Sequence, residues 1–217
     1  MKTIRAVLAA LALFTTGAAG ADCDEHSHLN WNAQWDAGAA VMYDRFGDPS
    51  LDDGSLTTTR EDEADIGYRV FVGVGFLQYF GIELGHADYG EARFDSQSDG
   101  SGSLWAAGPV TTTVSVEGTD LSVLGRVPIS SQLNLVLSLG VLNYKAGNVV
   151  AGTTQITGPD GVTDSIRDRS PIYSARLEYL GLSPLRVGVS YGRTETNSIF
   201  GSEFPLESLA LSLAYLF

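Results

Sequence analysis

From residue 35 to the last, the chain keeps returning to one arrangement: alternate residues are bulky and apolar, and those between them are small or polar. Successive side chains of a strand point to opposite faces, so a period of two marks β-strands whose faces meet different surroundings. The closing ten residues, SLALSLAYLF, show it most sharply. Leu209, Leu211, Leu213, Tyr215 and Phe217 share one parity, and Ser208, Ala210, Ser212 and Ala214 share the other. A soluble strand turns its bulk towards a core and its polar groups towards water. Here the small parity can line only a narrow interior, so the bulky parity needs an apolar solvent outside.

Eight segments carry this pattern: 35–46, 65–76, 80–94, 110–127, 133–148, 171–180, 185–196 and the closing stretch. In the fifth, Leu133, Leu135, Leu137, Leu139 and Val141 form an unbroken apolar face. Connections after the second, fourth and sixth are short. Those after the first, third, fifth and seventh are longer and rich in Gly, Ser, Thr and Asp. Short turns at one end and long loops at the other predict an all-β, eight-stranded, antiparallel, up-and-down transmembrane barrel with both termini on the periplasmic side. Faces must match across an antiparallel pair, so a three-residue turn is expected to set Phe76 against Phe80, Val74 against Ile82 and Gly73 against Glu83.

The opening MKTIRAVLAALALFTTGAAGA joins Lys2 and Arg5 to an apolar run and a small-x-small end, the form of a secretory signal peptide cut after Ala21. The expected organisation is a signal peptide over 1–21, a periplasmic tail over 22–34 and the barrel over 35–217. Asp22 precedes Cys23, which argues against lipid attachment there. Removing the leader takes two basic residues and no acid, so a net charge of −13 falls to −15, and nucleic acid is disfavoured as a partner. Cys23 is the sole cysteine, so an internal disulfide is excluded. Asp48, Asp52, Asp53, Glu61, Asp62 and Glu63 read as a solvated loop between the first two strands.

Strand charges fall on the small parity: Asp36, Arg69, Glu83, Asp120, Arg126, Arg176, Glu178 and Arg186. An arginine facing lipid near the midplane would cost about 2–4 kcal/mol, so these side chains are expected in the lumen. Side chains just fill the interior of an eight-stranded barrel. Arg69, Glu83, Arg126, Arg176, Glu178 and Arg186 are therefore expected to pair as a plug, with Gly73, Gly75, Gly81, Gly85 and Gly188 making room.

The signal peptide, the first strand WDAGAAVMYDRF, the hairpin DIGYRVFVGVGFLQYFGIELGHADYG and the closing AYLF resemble those of the OmpA/OmpX-like eight-stranded outer-membrane barrels. The resemblance implies a Gram-negative outer-membrane location, with lipid and lipopolysaccharide as surroundings. It also implies that Tyr215 and Phe217 form the signal read by the barrel-assembly machinery. The sequence stops at its eighth strand, so the peptidoglycan-binding domain of full-length OmpA is expected to be missing.

Catalytic and metal chemistry is sparse. Lipid A deacylases resemble this architecture but use a surface His and Ser; His86 lies on the lipid-facing parity, with no Ser compelled beside it, and no enzyme activity is expected. Cys23, His26 and His28 could gather a soft metal, but their spacing matches no closed site, so neither metal nor cofactor is expected. In DPSLDDGS, Gly54 stands one position late for a calcium loop and Thr59 replaces its bidentate Glu. Trp105 is expected in the interfacial aromatic belt. The expected role is structural, or surface interaction with an extracellular partner through acidic loops, as a monomer; the alternatives are a narrow porin-like channel and a lipid-modifying enzyme.

Overall fold

The structure is a computed structural model that describes residues 33–47, 55–76, 79–102, 105–154, 162–197 and 203–217. The signal peptide, most of the tail with Cys23, His26 and His28, and Asp48, Asp52 and Asp53 lie outside the described residues. The described residues form nine strands, in order β1 (Gln34–Phe46), β2 (Leu56–Asp62), β3 (Ala64–Phe76), β4 (Phe80–Ser98), β5 (Trp105–Pro128), β6 (Leu133–Thr154), β7 (Val162–Leu182), β8 (Leu185–Asn197) and β9 (Glu203–Leu216). Only Glu63 separates β2 from β3, and both pair with β4, so the two make one stave of eight.

Each stave pairs antiparallel with its neighbours around the order β4, β3, β1, β9, β8, β7, β6, β5, and β4 with β5 closes the ring. Closure leaves the spanning strands without an open edge, the condition for a sheet to sit in lipid. Phe76 faces Phe80, Val74 faces Ile82 and Gly73 faces Glu83, the expected register. First and last strands meet at a seam running from Asp36 opposite Leu216 to Phe46 opposite Leu206.

Exposed apolar residues clothe the outer wall. Leu137, Leu139 and Val141 project from β6, Leu209, Leu211 and Leu213 from β9, and Ile82 and Leu84 from β4. Aromatic residues border the band, with Tyr43, Tyr68, Tyr173 and Tyr191 towards the long-loop end and Trp35, Phe80, Tyr179, Tyr215 and Phe217 towards the termini.

Several strands outrun their expected ends. β4 continues to Ser98, β5 starts at Trp105, β6 reaches Thr154 and β7 starts at Val162. Glu61 and Asp62 belong to strand β2, where a loop was expected. Outside lipid an outward face must be polar, so the alternation that marks a spanning strand fades while backbone pairing persists. The wall made by β2, β4, β5, β6 and β7 therefore stands higher than β1, β8 and β9.

Within that taller part the polarity of the wall inverts. On β6 the apolar parity switches between Val141, which is exposed, and Leu142, Tyr144 and Ala146, which are buried inside. On β5, Val114 and Val116 point inward while Thr113, Ser115 and Glu117 point out. Phe46, Tyr89, Phe94, Leu142, Tyr144, Phe204 and Leu206 thus fill the upper lumen as an apolar core. Fully burying a Leu or Phe side chain stabilises by about 1.5–3 kcal/mol. Trp105 is 1% exposed and packs inside on Val110, Val150 and Leu56, not in the aromatic belt. It sits too far along β5 to reach the bilayer, and in water an indole is better buried.

Candidate functional site

The lower lumen gathers four arginines and four carboxylates, all facing inward. Arg69 on β3 grips both carboxylate oxygens of Asp120 on β5, Nε to Oδ1 at 3.0 Å and Nη2 to Oδ2 at 2.6 Å. Its Nη1 donates to Glu83 on β4 at 2.8 Å. The other Glu83 oxygen accepts from Nη2 of Arg176 on β7 at 2.9 Å, and Arg176 Nε reaches Glu178 at 3.1 Å. Asp120, Arg69, Glu83, Arg176 and Glu178 form one continuous chain of opposite charges.

A second group centres on Asp36 of β1. Arg186 Nη1 from β8 donates to Asp36 Oδ2 at 3.1 Å, and its Nη2 to Gln34 Oε1 at 3.2 Å. Arg126 of β5 approaches the same Oδ2 at 3.5 Å. The pairs Arg176 with Glu83 and Arg126 with Asp36 join strands that are not neighbours in the wall, so they bridge the lumen. Unpaired buried charge is costly, and a set of opposite charges balanced in number is how an interior tolerates it.

The structure brings together all six residues expected in the network, and adds Asp36, Asp120 and Phe71. Arg69 and Arg176 place their guanidinium carbons 5.3 and 5.5 Å from the centre of the Phe71 ring. Such cation–π contacts gain strength when desolvated. Phe71 shares the inward parity of Arg69 and Gly73, which was the available signal for it.

Five glycines supply the space. A Cβ on Gly85 would collide with the Arg69 guanidinium, on Gly75 with Arg126 Nη1, and on Gly73 with Asp36 Oδ1. On Gly81 it would stand 3.3 Å from Arg126 Nη1, and on Gly188 3.2 Å from Arg176 Cδ. Small residues on the inward parity are thus the complement of long charged ones on the facing strands.

Between the charged layer and the apolar core lies a chamber of about 70 Å³, bordered by Arg69, Glu83, Ser122, Ser138, Ser174 and Leu206. Its hydroxyls, among them the Ser138 and Ser174 pair at 2.6 Å, suit a few buried waters. From the termini outward, the lumen therefore reads charged, hydroxylated, apolar.

The remaining sequence candidates lie outside it. Tyr215 and Phe217 are exposed on the outer wall, their rings edge to face at 5.0 Å, and Phe217 N donates to Trp35 O at 2.9 Å. His86 faces outward, with Nδ1 3.2 Å from Thr119 Oγ1. Above the membrane band, Asp95 accepts from Thr111 Oγ1 at 2.7 Å and Arg93 Nε at 3.1 Å, which together hold its carboxyl below the usual range.

A closed, even-stranded antiparallel barrel with an apolar outer band and an inward charge layer is an outer-membrane β-barrel. The chain belongs to the family of the OmpA-like transmembrane domain, whose model matches residues 30–196. Among solved structures, it is similar to the outer membrane protein OprG from Pseudomonas aeruginosa, at 11% identity over 89% of this chain and 99% of that one, with a TM-score of 0.50. It is also similar to Ail, the attachment invasion locus protein of Yersinia pestis, solved in complex with the heparin analogue sucrose octasulfate. That match has 12% identity over 85% and 99% of the two chains and a TM-score of 0.49. No curated protein matches the chain.

Proposed function

We propose that this outer-membrane barrel is a sealed scaffold, exported by its signal peptide, whose work is done at the cell surface by the tall wall and the loops it carries. The observation that carries the reading is the stacking of two unlike closures in one lumen. A water-filled path would have to pass both the paired charges around Glu83 and the apolar packing of Phe46, Tyr89, Leu142 and Phe204. Each excludes ions for a different reason: the first holds fixed charges in mutual pairs, and the second packs large apolar side chains around an Asp44 carboxylate already bonded by Ser208. Energy invested in closing the interior favours a structural or partner-binding role over a channel. A catalytic role is not part of this reading, in which His86 stands beside Thr119 rather than a serine. Tyr215 and Phe217 would direct insertion by the assembly machinery, and the outward loops would meet the extracellular partner.

The test is conductance of the refolded protein in a planar bilayer. The wild type is expected to be silent. An Arg126→Ala, Arg176→Ala variant is expected to stay silent because the apolar tier remains, and adding Phe46→Ala and Phe204→Ala is expected to open a path. Steady, ion-selective current through the wild type would make the narrow pore the function instead.

A further inference from the structure

The outer wall carries a cationic groove at one place just beyond the lipid-facing band. Along the pairing, His86 on β4, Thr119 on β5, Asn143 on β6 and Arg169 on β7 lie side by side, and the next outward row is Asp88, Glu117, Lys145 and Arg167. His86, Lys145, Arg167 and Arg169 are all exposed and border one open groove of about 630 Å³. The row directly beneath is apolar, with Leu84, Leu121 and Val141 facing lipid.

Two features set this cluster apart. Three other outward cations are already neutralised at close range: Arg45 by Glu63 at 2.6 Å, Arg93 by Asp95 at 3.1 Å and Arg193 by Glu207 at 3.3 Å. Among the described residues, Arg167 and Arg169 have no carboxylate within ion-pair distance, and Lys145 has only Glu117 at 3.7 Å. The neighbouring Asp168 carboxylate is taken up by Asn197 Nδ2 at 2.6 Å and the Arg169 backbone N–H at 2.8 Å. Asp88 faces the same row, and its Oδ1 accepts from the Gly90 N–H at 3.0 Å. In a chain with twice as many acids as bases, two unpaired arginines on one outward face stand out.

Depth supplies the second argument. The parity switch between Val141 and Leu142 marks where the solvent outside changes from lipid to water. Four residues of tilted strand from Val141 to Lys145 rise about 10 Å, so Arg169 and then Lys145 and Arg167 stand at the level of lipid headgroups. Thr119, Asn143 and His86 place further hydrogen-bonding groups beside the arginines and lysine, a mixture that suits a phosphorylated sugar better than a bare phosphodiester.

We propose that this groove, formed by Arg167, Arg169, Lys145, His86, Thr119 and Asn143, binds the phosphorylated glycolipid of the outer leaflet. The arginines and lysine take the phosphate, Thr119, Asn143 and His86 take sugar hydroxyls, and the acyl chains lie down the apolar wall over Val141, Leu121 and Leu84. The proposal does not depend on the lumen being sealed.

The experiment places the refolded protein in phosphatidylcholine nanodiscs containing a small fraction of rough-type lipopolysaccharide, and counts retained glycolipid per barrel by native mass spectrometry. A parallel arm replaces the lipopolysaccharide by phosphatidylglycerol at equal charge. Heat-modifiable migration on gels selects folded barrels. Wild type is expected to retain glycolipid in preference to phosphatidylglycerol. The Arg167→Gln, Arg169→Gln variant is expected to retain about tenfold less, and Lys145→Gln is expected to show a smaller loss. The Arg45→Gln, Arg93→Gln variant, which removes cations already paired, is expected to bind as wild type does. Equal retention by the Arg167, Arg169 variant and wild type, an equal loss in the control, or equal retention of phosphatidylglycerol would each overturn the proposal.

Discussion

Replacing Glu83 by alanine tests how much the charged layer holds the barrel together. Glu83 accepts from Arg69 at 2.8 Å and from Arg176 at 2.9 Å, and its side chain is 5% exposed. A hydrogen bond to a charged group is worth about 1.5–3 kcal/mol net, so losing both costs about 3–6 kcal/mol. Arg69 keeps its two contacts with Asp120, and Arg176 keeps Glu178, which places the loss in the lower half of that range, at about 3–4 kcal/mol. Glu83→Gln keeps the shape and one acceptor oxygen but leaves the layer with an excess positive charge; about 2 kcal/mol is expected. The assay is reversible guanidinium unfolding in lipid vesicles, followed by tryptophan fluorescence, with Arg176→Ala and the double variant completing a thermodynamic cycle. Residues sharing a buried pair should couple by at least about 1 kcal/mol. A loss below about 1 kcal/mol for Glu83→Ala, or additive effects in the cycle, would refute the idea that paired charges stabilise this interior.

Gly85→Ala and Gly75→Ala are expected to lower stability by about 1–3 kcal/mol, because the new methyl group meets an arginine head, whereas Gly125→Ala is expected to be neutral, its nearest neighbour being Leu137 O at 3.9 Å; gel migration against temperature separates the three. With Trp31 and Trp35 changed to Phe, Trp105 fluorescence is expected to resist both acrylamide and a lipid-phase quencher, whereas a residue in the aromatic belt would be quenched by the lipid probe. For Asp95, the bond from Thr111 and the nearby Arg93 depress the folded pKa below the unfolded one, so its contribution is present above the unfolded value and is lost as pH falls through the folded one. Protection against hydrogen exchange in the outer β4–β5 pairing, taken relative to the intrinsic rate at each pH, is expected to fall on acidification in the wild type and to show no such step in Asp95→Asn.

Parity made the spanning part readable. Leu133 to Val141 on β6 and Leu209 to Phe217 at the end of the chain declare their outward face, and the turn between β3 and β4 follows because Gly73 must meet Glu83. Charges on the small parity then had only the lumen to go to. The upper half was hidden by carrying that rule too far. Leu142, Tyr144 and Ala146 stand on the parity that is small and polar lower down, and they turn inward because water replaces lipid outside. The inversion was present in the sequence, directly after Val141, but only a depth along the strand gives it meaning. The outer end of β5, from Trp105 to Pro109, lay outside the expected strand because Gly108 and Pro109 interrupt its alternation. Which acid meets which arginine depends on the stagger between strands that are not neighbours, and local pattern holds no record of it.

The seam between β1 and β9 has a mechanical consequence. It joins the first and last strands, so it can close only after every other stave is in place, and until then both strands present unpaired backbone groups that a bilayer cannot satisfy. Asp36 on β1 is tied to Arg186 on β8 and approached by Arg126 on β5, so ion pairs span the seam from within. Parting β1 from β9 would break the backbone ladder and pull a buried carboxylate from its cations at once. The interior charges act as a latch on the wall, and a barrel latched there resists opening sideways into the lipid.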